Sequence, residues 1–166
     1  MPHVRTSELS PHSRLHAHVR HGDFLDCYST AANLPPRNAA QVITAFPGWA
    51  RTLLALRRVL VTPFGLRHEG PDDGDRIGPF PVTAETPEEI IAGFDDAHLD
   101  FRICVHCAQG RVSLATWVHP HNIGGRAYLA LIMPFHIAIA RNALARVHAY
   151  SRSGQPPQTP LKAGGN

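Results

Sequence analysis

Apolar and polar side chains change places along this chain with two different periods. From Gly22 to Ser29 (GDFLDCYS) the alternation is that of a strand, with Phe24, Asp26 and Tyr28 on one face. Asn33-Leu34-Pro35-Pro36 opens a short helix, since proline is tolerated in a first turn, and Pro47 ends it. Beyond it Trp49, Leu53, Leu56 and Leu60 fall at the spacing of one helical face, while Arg51 and Arg58 point away. Pro63 and Gly65 stop this second helix. The acidic stretch Glu69 to Asp75 that follows matches no calcium loop and reads as a solvent turn.

Period two then returns. Pro79 and Pro81, two apart in Ile77 to Val82, remove donors from the same side and predict an edge strand. Thr86-Pro87 turns the chain into another strand, Glu89 to Phe94. The clearest pair is His98 to Ala108 with Arg111 to His121, joined at Gln109-Gly110. A two-residue turn there fixes the register. Cys107, Val105, Ile103 and Phe101 face Val112, Leu114, Thr116 and Val118 on an almost wholly apolar side. The other side pairs His106 with Ser113, Cys104 with Ala115, Arg102 with Trp117, and Asp100 with His119. A slip of one residue would mix the two faces.

The last element runs from about Gly125 to Tyr150. Its first half, from Tyr128 to Ile139, is apolar nearly all round, the pattern of a helix buried on most sides. Its second half is amphipathic, with Leu144 and Val147 against Arg141, Asn142 and Arg146, and Pro134 predicts a kink. The whole reads as an α+β domain over residues 22–150: a curved antiparallel sheet around a long C-terminal helix, with two short helices after the first strand. Residues 1–21, with five histidines among Ser, Pro and Arg, read as a solvated arm. Residues 151–166 read as a disordered tail.

Composition narrows the function classes. A chain of 166 residues with 43% hydrophobic and 17% charged residues can bury a core in one domain. Its net charge of +3 and the lack of a basic block with interleaved aromatics speak against nucleic acid. Three irregularly spaced cysteines suit a reducing, cytoplasmic setting and no disulfide framework. The N-terminus has no signal-peptide core. The apolar run Ala127 to Ile139 falls short of the roughly 20 residues of a spanning helix, so no membrane insertion is expected.

Candidate chemistry is sparse. Cys104 and Cys107 have the spacing of a C-x-x-C site, but three apart on a strand they point to opposite faces. His119 and His121 share a side and His136 could join them as metal ligands. The plainer reading is a strand terminus before a helix capped by Asn122, and no metal or cofactor is expected. Asp100 opposite His119 is the candidate acid–base pair, a surface contact unless that face lines a cleft. Arg102 opposite Trp117 is a cation–π pair or an anion anchor. Asp26, Tyr28 and His136 stand on otherwise apolar faces, and become the polar points of an apolar pocket.

Several stretches, taken in order, resemble one bacterial family. They are W-x-x-x-L-L-A-L-R-x-x-L-V (Trp49 to Val61), D-R-I-G-P-F-P-V (Asp75 to Val82), D-x-H-L-D-F-R (Asp96 to Arg102), V-H-P-H-N-x-x-G-R-x-Y-L (Val118 to Leu129) and P-F-H (Pro134 to His136). The family is domain of unknown function 2867, and the resemblance covers about Gly22 to Val147. It implies a helix-grip fold like that of START and polyketide-cyclase relatives, whose sheet and C-terminal helix often enclose an apolar ligand cavity. Similar domains also follow nucleotide-binding Rossmann modules, but no G-x-G-x-x-G follows a strand here.

Two function classes follow. The first is a domain binding an apolar or aromatic small molecule for transport, sensing or presentation to a partner enzyme. The second is an enzyme of cyclase, dehydratase or isomerase type using His and Asp as acid and base. Binding is preferred, because no nucleophile–base–oxyanion set is legible. An interaction module without a ligand is the third option, and homodimerisation stays open.

Overall fold

The computed structural model describes residues 3–48, 74–96 and 99–154. Seven antiparallel strands form one curved sheet. In chain order they are β1 (Val4–Thr6), β2 (Phe24–Ala31), β3 (Arg76–Ile77), β4 (Phe80–Glu85), β5 (Glu89–Asp95), β6 (Leu99–Ala108) and β7 (Arg111–Pro120). Across the sheet the order is β1-β2-β7-β6-β5-β4-β3. Helix α1 (Pro36–Thr44) follows β2, and the long helix α2 (Ile123–Ser153) ends the described chain. The expected second short helix, Trp49 to Leu60, lies outside the described residues.

The β6–β7 hairpin has the register its sequence predicts, from Ala108 opposite Arg111 to Asp100 opposite His119. Gln109 and Gly110 both have positive φ, 51° and 70°. That is the backbone of the tight turn whose twist matches two paired strands. The stretch read as one strand from Ile77 to Val82 instead breaks at Gly78-Pro79, and its halves pair with each other as β3 and β4 at the end of the sheet. Pro79 thus stands in the turn and Pro81 in β4, next to the two-residue edge strand β3 and outside the β4–β5 pairing.

The helix side of the sheet carries the main core. Tyr28, Ile90, Ile103, Val105, Val112 and Leu114 pack with Ala39, Ala40 and Ile43 of α1 and with Ala140, Ala143, Leu144 and Val147 of α2. Arg146 ties the two helices together. Its guanidinium donates to the carbonyls of Val42 (2.8 Å), Ala45 (2.6 Å) and Ile43 (3.2 Å), the acceptors that a helix end leaves open.

The opposite face holds a second, smaller core, which corrects the reading of residues 1–21 as a solvated arm. Val4–Thr6 pairs with Thr30–Tyr28 as β1. A 3-10 helix at Arg14–Ala17 drives Leu15, fully buried, onto Cys27, Ile91, Cys104, Ala115 and Trp117. Burying a leucine contributes about 1.5–3 kcal/mol. The cover is latched by Glu89, only 4% exposed on β5. Its carboxylate accepts from the Ser13 hydroxyl, from the Arg14 amide (3.0 Å) and from the Cys104 thiol (3.2 Å).

Helix α2 also departs from expectation. Its second half is buried on one face, but its first half is not buried on most sides. Ile123 is 85% and Leu131 70% exposed, and Phe135 and Ile137 are exposed too. With Ala127 they form a stripe at helical spacing that nothing among the described residues covers. By length and composition α2 could cross a membrane. Half of it is committed to the core through Ala140, Ala143, Leu144 and Val147. Pro134 lies inside the helix, which the described chain continues without interruption from Ile123 to Ser153.

Candidate functional site

Strand alternation sets Phe24, Asp26 and Tyr28 on the helix side of β2, and α2 carries His136 across to meet them. His136 Nε2 lies 3.0 Å from Asp26 Oδ2, with side chains only 20% and 15% exposed. Asp26 Oδ1 is buried without a hydrogen-bond partner. Burial, then the Asp26 charge, raises the pKa of the Tyr28 phenol, and Arg141 lies over the Tyr28 ring at 5.9 Å. The three residues expected to share a pocket are therefore neighbours.

Next to the pair is a groove of about 310 Å³, open to solvent, whose lining reaches Phe24 and Met133 but includes neither Asp26 nor His136. One wall is the entry to β2 and the exit of β7, made by Gly22, Asp23, Phe24 and Pro120. The other is the first turns of α2, with Arg126, Leu129, Ala130 and Met133. Phe24 links groove and pair, since its ring meets His136 edge-on at 6.0 Å. The body of the groove is apolar, and Arg126 is its cation. Among the described residues the Arg126 guanidinium has no ion pair or hydrogen bond.

A second polar cluster lies on the far side of the sheet. The predicted Cα pairing of Asp100 with His119 holds, but the side chains choose other partners. His119 Nδ1 is 2.5 Å from Asp23 Oδ1, and Asp100 Oδ1 is 3.0 Å from His121 Nε2. The cause is that β7 has two neighbours. Phe24 of β2 pairs with Val118, which brings Asp23 beside His119 from the strand opposite β6. Asp23 also accepts from the Arg20 amide (2.8 Å) and from Trp117 Nε1 (2.7 Å). Burial alone would raise the Asp23 carboxyl. The bonds from His119, Arg20 and Trp117 outweigh it and leave the pKa below its ordinary value. Such a carboxylate holds the proton on Nδ1 and leaves Nε2 as the basic nitrogen.

Other expectations separate. Arg102, 8% exposed, does not stack on Trp117 but pairs with Asp95 at 2.7 Å. Its stem runs over Gly93, where an added Cβ would lie 2.9 Å from Arg102 Cδ and 2.0 Å from the Phe101 carbonyl oxygen. Trp117 belongs to the smaller core and reaches His18, not a groove. His119 and His121 face away from the helices while His136 faces toward them, so the three do not converge as a metal triad. Burial raises the pKa of the Cys104 and Cys27 thiols, and pushes Cys107 up to about 12, which disfavours the thiolate form.

A family model described as "Protein of unknown function (DUF2867)" matches residues 18–143. The chain belongs to the DUF2867 family. Comparison with curated proteins and with solved structures gave no match. In this DUF2867 chain the matched span begins at His18 and so takes in part of the segment that covers the smaller core. Two residues of the site escaped the sequence reading. Asp23 fell inside the expected strand Gly22 to Ser29 and was given no role, and Arg126 stood in the quoted motif Val118 to Leu129 without one. The signal was the alternation of GDFLDCYS itself: with Phe24 opposite Val118, the preceding Asp23 comes beside His119.

Proposed function

We propose that this DUF2867 domain is a helix-grip binding module that takes a small molecule with an apolar body and at least one hydrogen-bond donor. The element order supports the helix-grip reading: strands form a curved sheet, and the long last helix lies across one face. The observation that carries the function is Asp26. A carboxylate with one oxygen held by His136 and the other buried without a partner lies two residues along β2 from Phe24, which lines an apolar groove. A buried acceptor left open costs about 1–3 kcal/mol, which a ligand hydroxyl or amine would recover. Asp26 and His136 then orient the ligand, while Phe24, Leu129 and Met133 cover its body.

1-Naphthol is a suitable probe, being flat, apolar and the bearer of one hydroxyl. A fluorescence titration of the full chain is expected to give saturable binding of one molecule per chain. The Asp26→Leu/His136→Leu variant, which replaces both partners by apolar groups, is expected to stay folded and bind at least fivefold more weakly. Equal binding by both proteins would remove Asp26 and His136 from the site.

The Asp23–His119 pair favours a second reading, in which the domain is an enzyme. A histidine whose Nδ1 is held by a buried carboxylate is suited to general-base work at Nε2. It would serve the cyclase, dehydratase or isomerase alternative for a substrate held on the far side of the sheet, away from the groove. His119→Gln separates the readings: binding in the groove survives under both, and turnover of a substrate on the far side is lost only under the second.

A further inference from the structure

We infer that the ligand of this groove is an amphiphilic carboxylate, held by Arg126 at the α2 end with its apolar chain running toward Phe24 and Met133. The inference rests on the binding reading above and adds the chemical class of the ligand. Three observations carry it. Arg126 lines the groove and its guanidinium has no partner among the described residues. A guanidinium is the side chain best matched to a carboxylate, through two parallel N–H donors. Along α2 no acidic residue occupies the first turn, and the helix N-terminus adds positive potential at the same end.

The other charges of the groove fix the ligand's direction. Asp23 lines the wall, but its carboxylate is occupied by His119, Trp117 and the Arg20 amide, and its side chain is only 1% exposed. Asp26 stands beyond Phe24 and would repel a carboxylate, so the anion belongs at Arg126 and a neutral donor at Asp26. Arg126 and Met133 are seven residues apart, about 10 Å of helix. An extended chain of about eight to ten carbons covers that length. A bound water or buffer ion at Arg126 would satisfy the charge but leave Leu129 and Met133 uncovered. An amphiphile does both.

Decanoate and 1-decanol, used below the concentration at which decanoate forms micelles, make the matched probes. They have the same chain and differ in charge. Calorimetric titration of the full chain is expected to show decanoate binding at least tenfold tighter than decanol. Arg126→Gln, at an exposed position, is expected to bring decanoate down to the decanol level and leave decanol unchanged. Arg152→Gln, in the last turn of α2 and outside the groove, is expected to change neither. Equal binding of the two probes by the native chain, or an equal loss with either arginine variant, would overturn the carboxylate assignment and leave the groove reading standing. Binding of neither probe would overturn both.

Discussion

Replacing His136 by leucine tests how the Asp26–His136 pair is built into the fold. The substitution removes the imidazole that lies 3.0 Å from Asp26 Oδ2 and leaves a carboxylate whose other oxygen already lacks a partner. A hydrogen bond to a charged group is worth about 1.5–3 kcal/mol, and breaking a fully buried pair costs about 3–5 kcal/mol. Side chains that keep 15–20% of their exposure regain part of this from water, and the new leucine adds some apolar burial. A net loss of about 2 kcal/mol follows, equivalent to a Tm lower by about 4–8 °C in a domain of this size. Urea denaturation at pH 7 of the native chain, His136→Leu, Asp26→Leu and the double variant measures it. The double variant is expected to recover at least half of the loss, since no charge is left stranded. A His136→Leu protein as stable as the native chain, or a double variant no better than the sum of the single ones, would refute the reasoning.

Four further predictions concern the rest of the fold. Ser13→Ala removes both a donor to Glu89 and the cap of the 3-10 helix, and is expected to cost about 2 kcal/mol in urea denaturation. Deleting residues 1–21 is expected to cost more, visible as a large drop in Tm, whereas an unchanged Tm would mean the smaller core is dispensable. Arg146→Met leaves the carbonyls of Val42, Ile43 and Ala45 at the end of α1 without their donor and is expected to lose about 2–4 kcal/mol, read by the same assay. The lowered pKa of Asp23 means that the folded chain favours the carboxylate. Its contribution is fully present above the unfolded value near 3.8 and is lost as pH falls through the lower folded value. Asp23→Asn should flatten that acid limb in a stability-against-pH series.

The sequence made the hairpin legible because a two-residue turn and a period of two leave only one register with a clean apolar face. Phe101 to Cys107 and Val112 to Val118 met that condition, and the pairing followed residue by residue. Asp26, Tyr28 and His136 were legible for a related reason: a polar group on an apolar face must find a partner, and His136 and Asp26 find each other. Side-chain partners across β7 were not legible, because a central strand has two neighbours and only the hairpin partner is close in sequence. Asp23 reaches His119 across a separation of 96 residues. The N-terminal segment misled because its composition is polar. Leu15 alone anchors the 3-10 helix, and the bonds to Glu89 supply what composition does not show. The exposed stripe of α2 misled in the opposite direction, since an all-round apolar pattern states only that a helix avoids water, not that the described fold supplies the cover.

The binding claim is tested most directly at Met133. The chain has two methionines, Met1 and Met133, and Met133 lines the groove. Labelling both methyl groups with carbon-13 therefore places one reporter in the site and one far along the sequence. Titrating the full chain with 1-decanol and following the two signals by NMR should shift the Met133 methyl saturably and leave Met1 in place. A Met133 signal that stays unmoved up to the solubility of decanol, or two signals that drift together without saturating, would contradict the account.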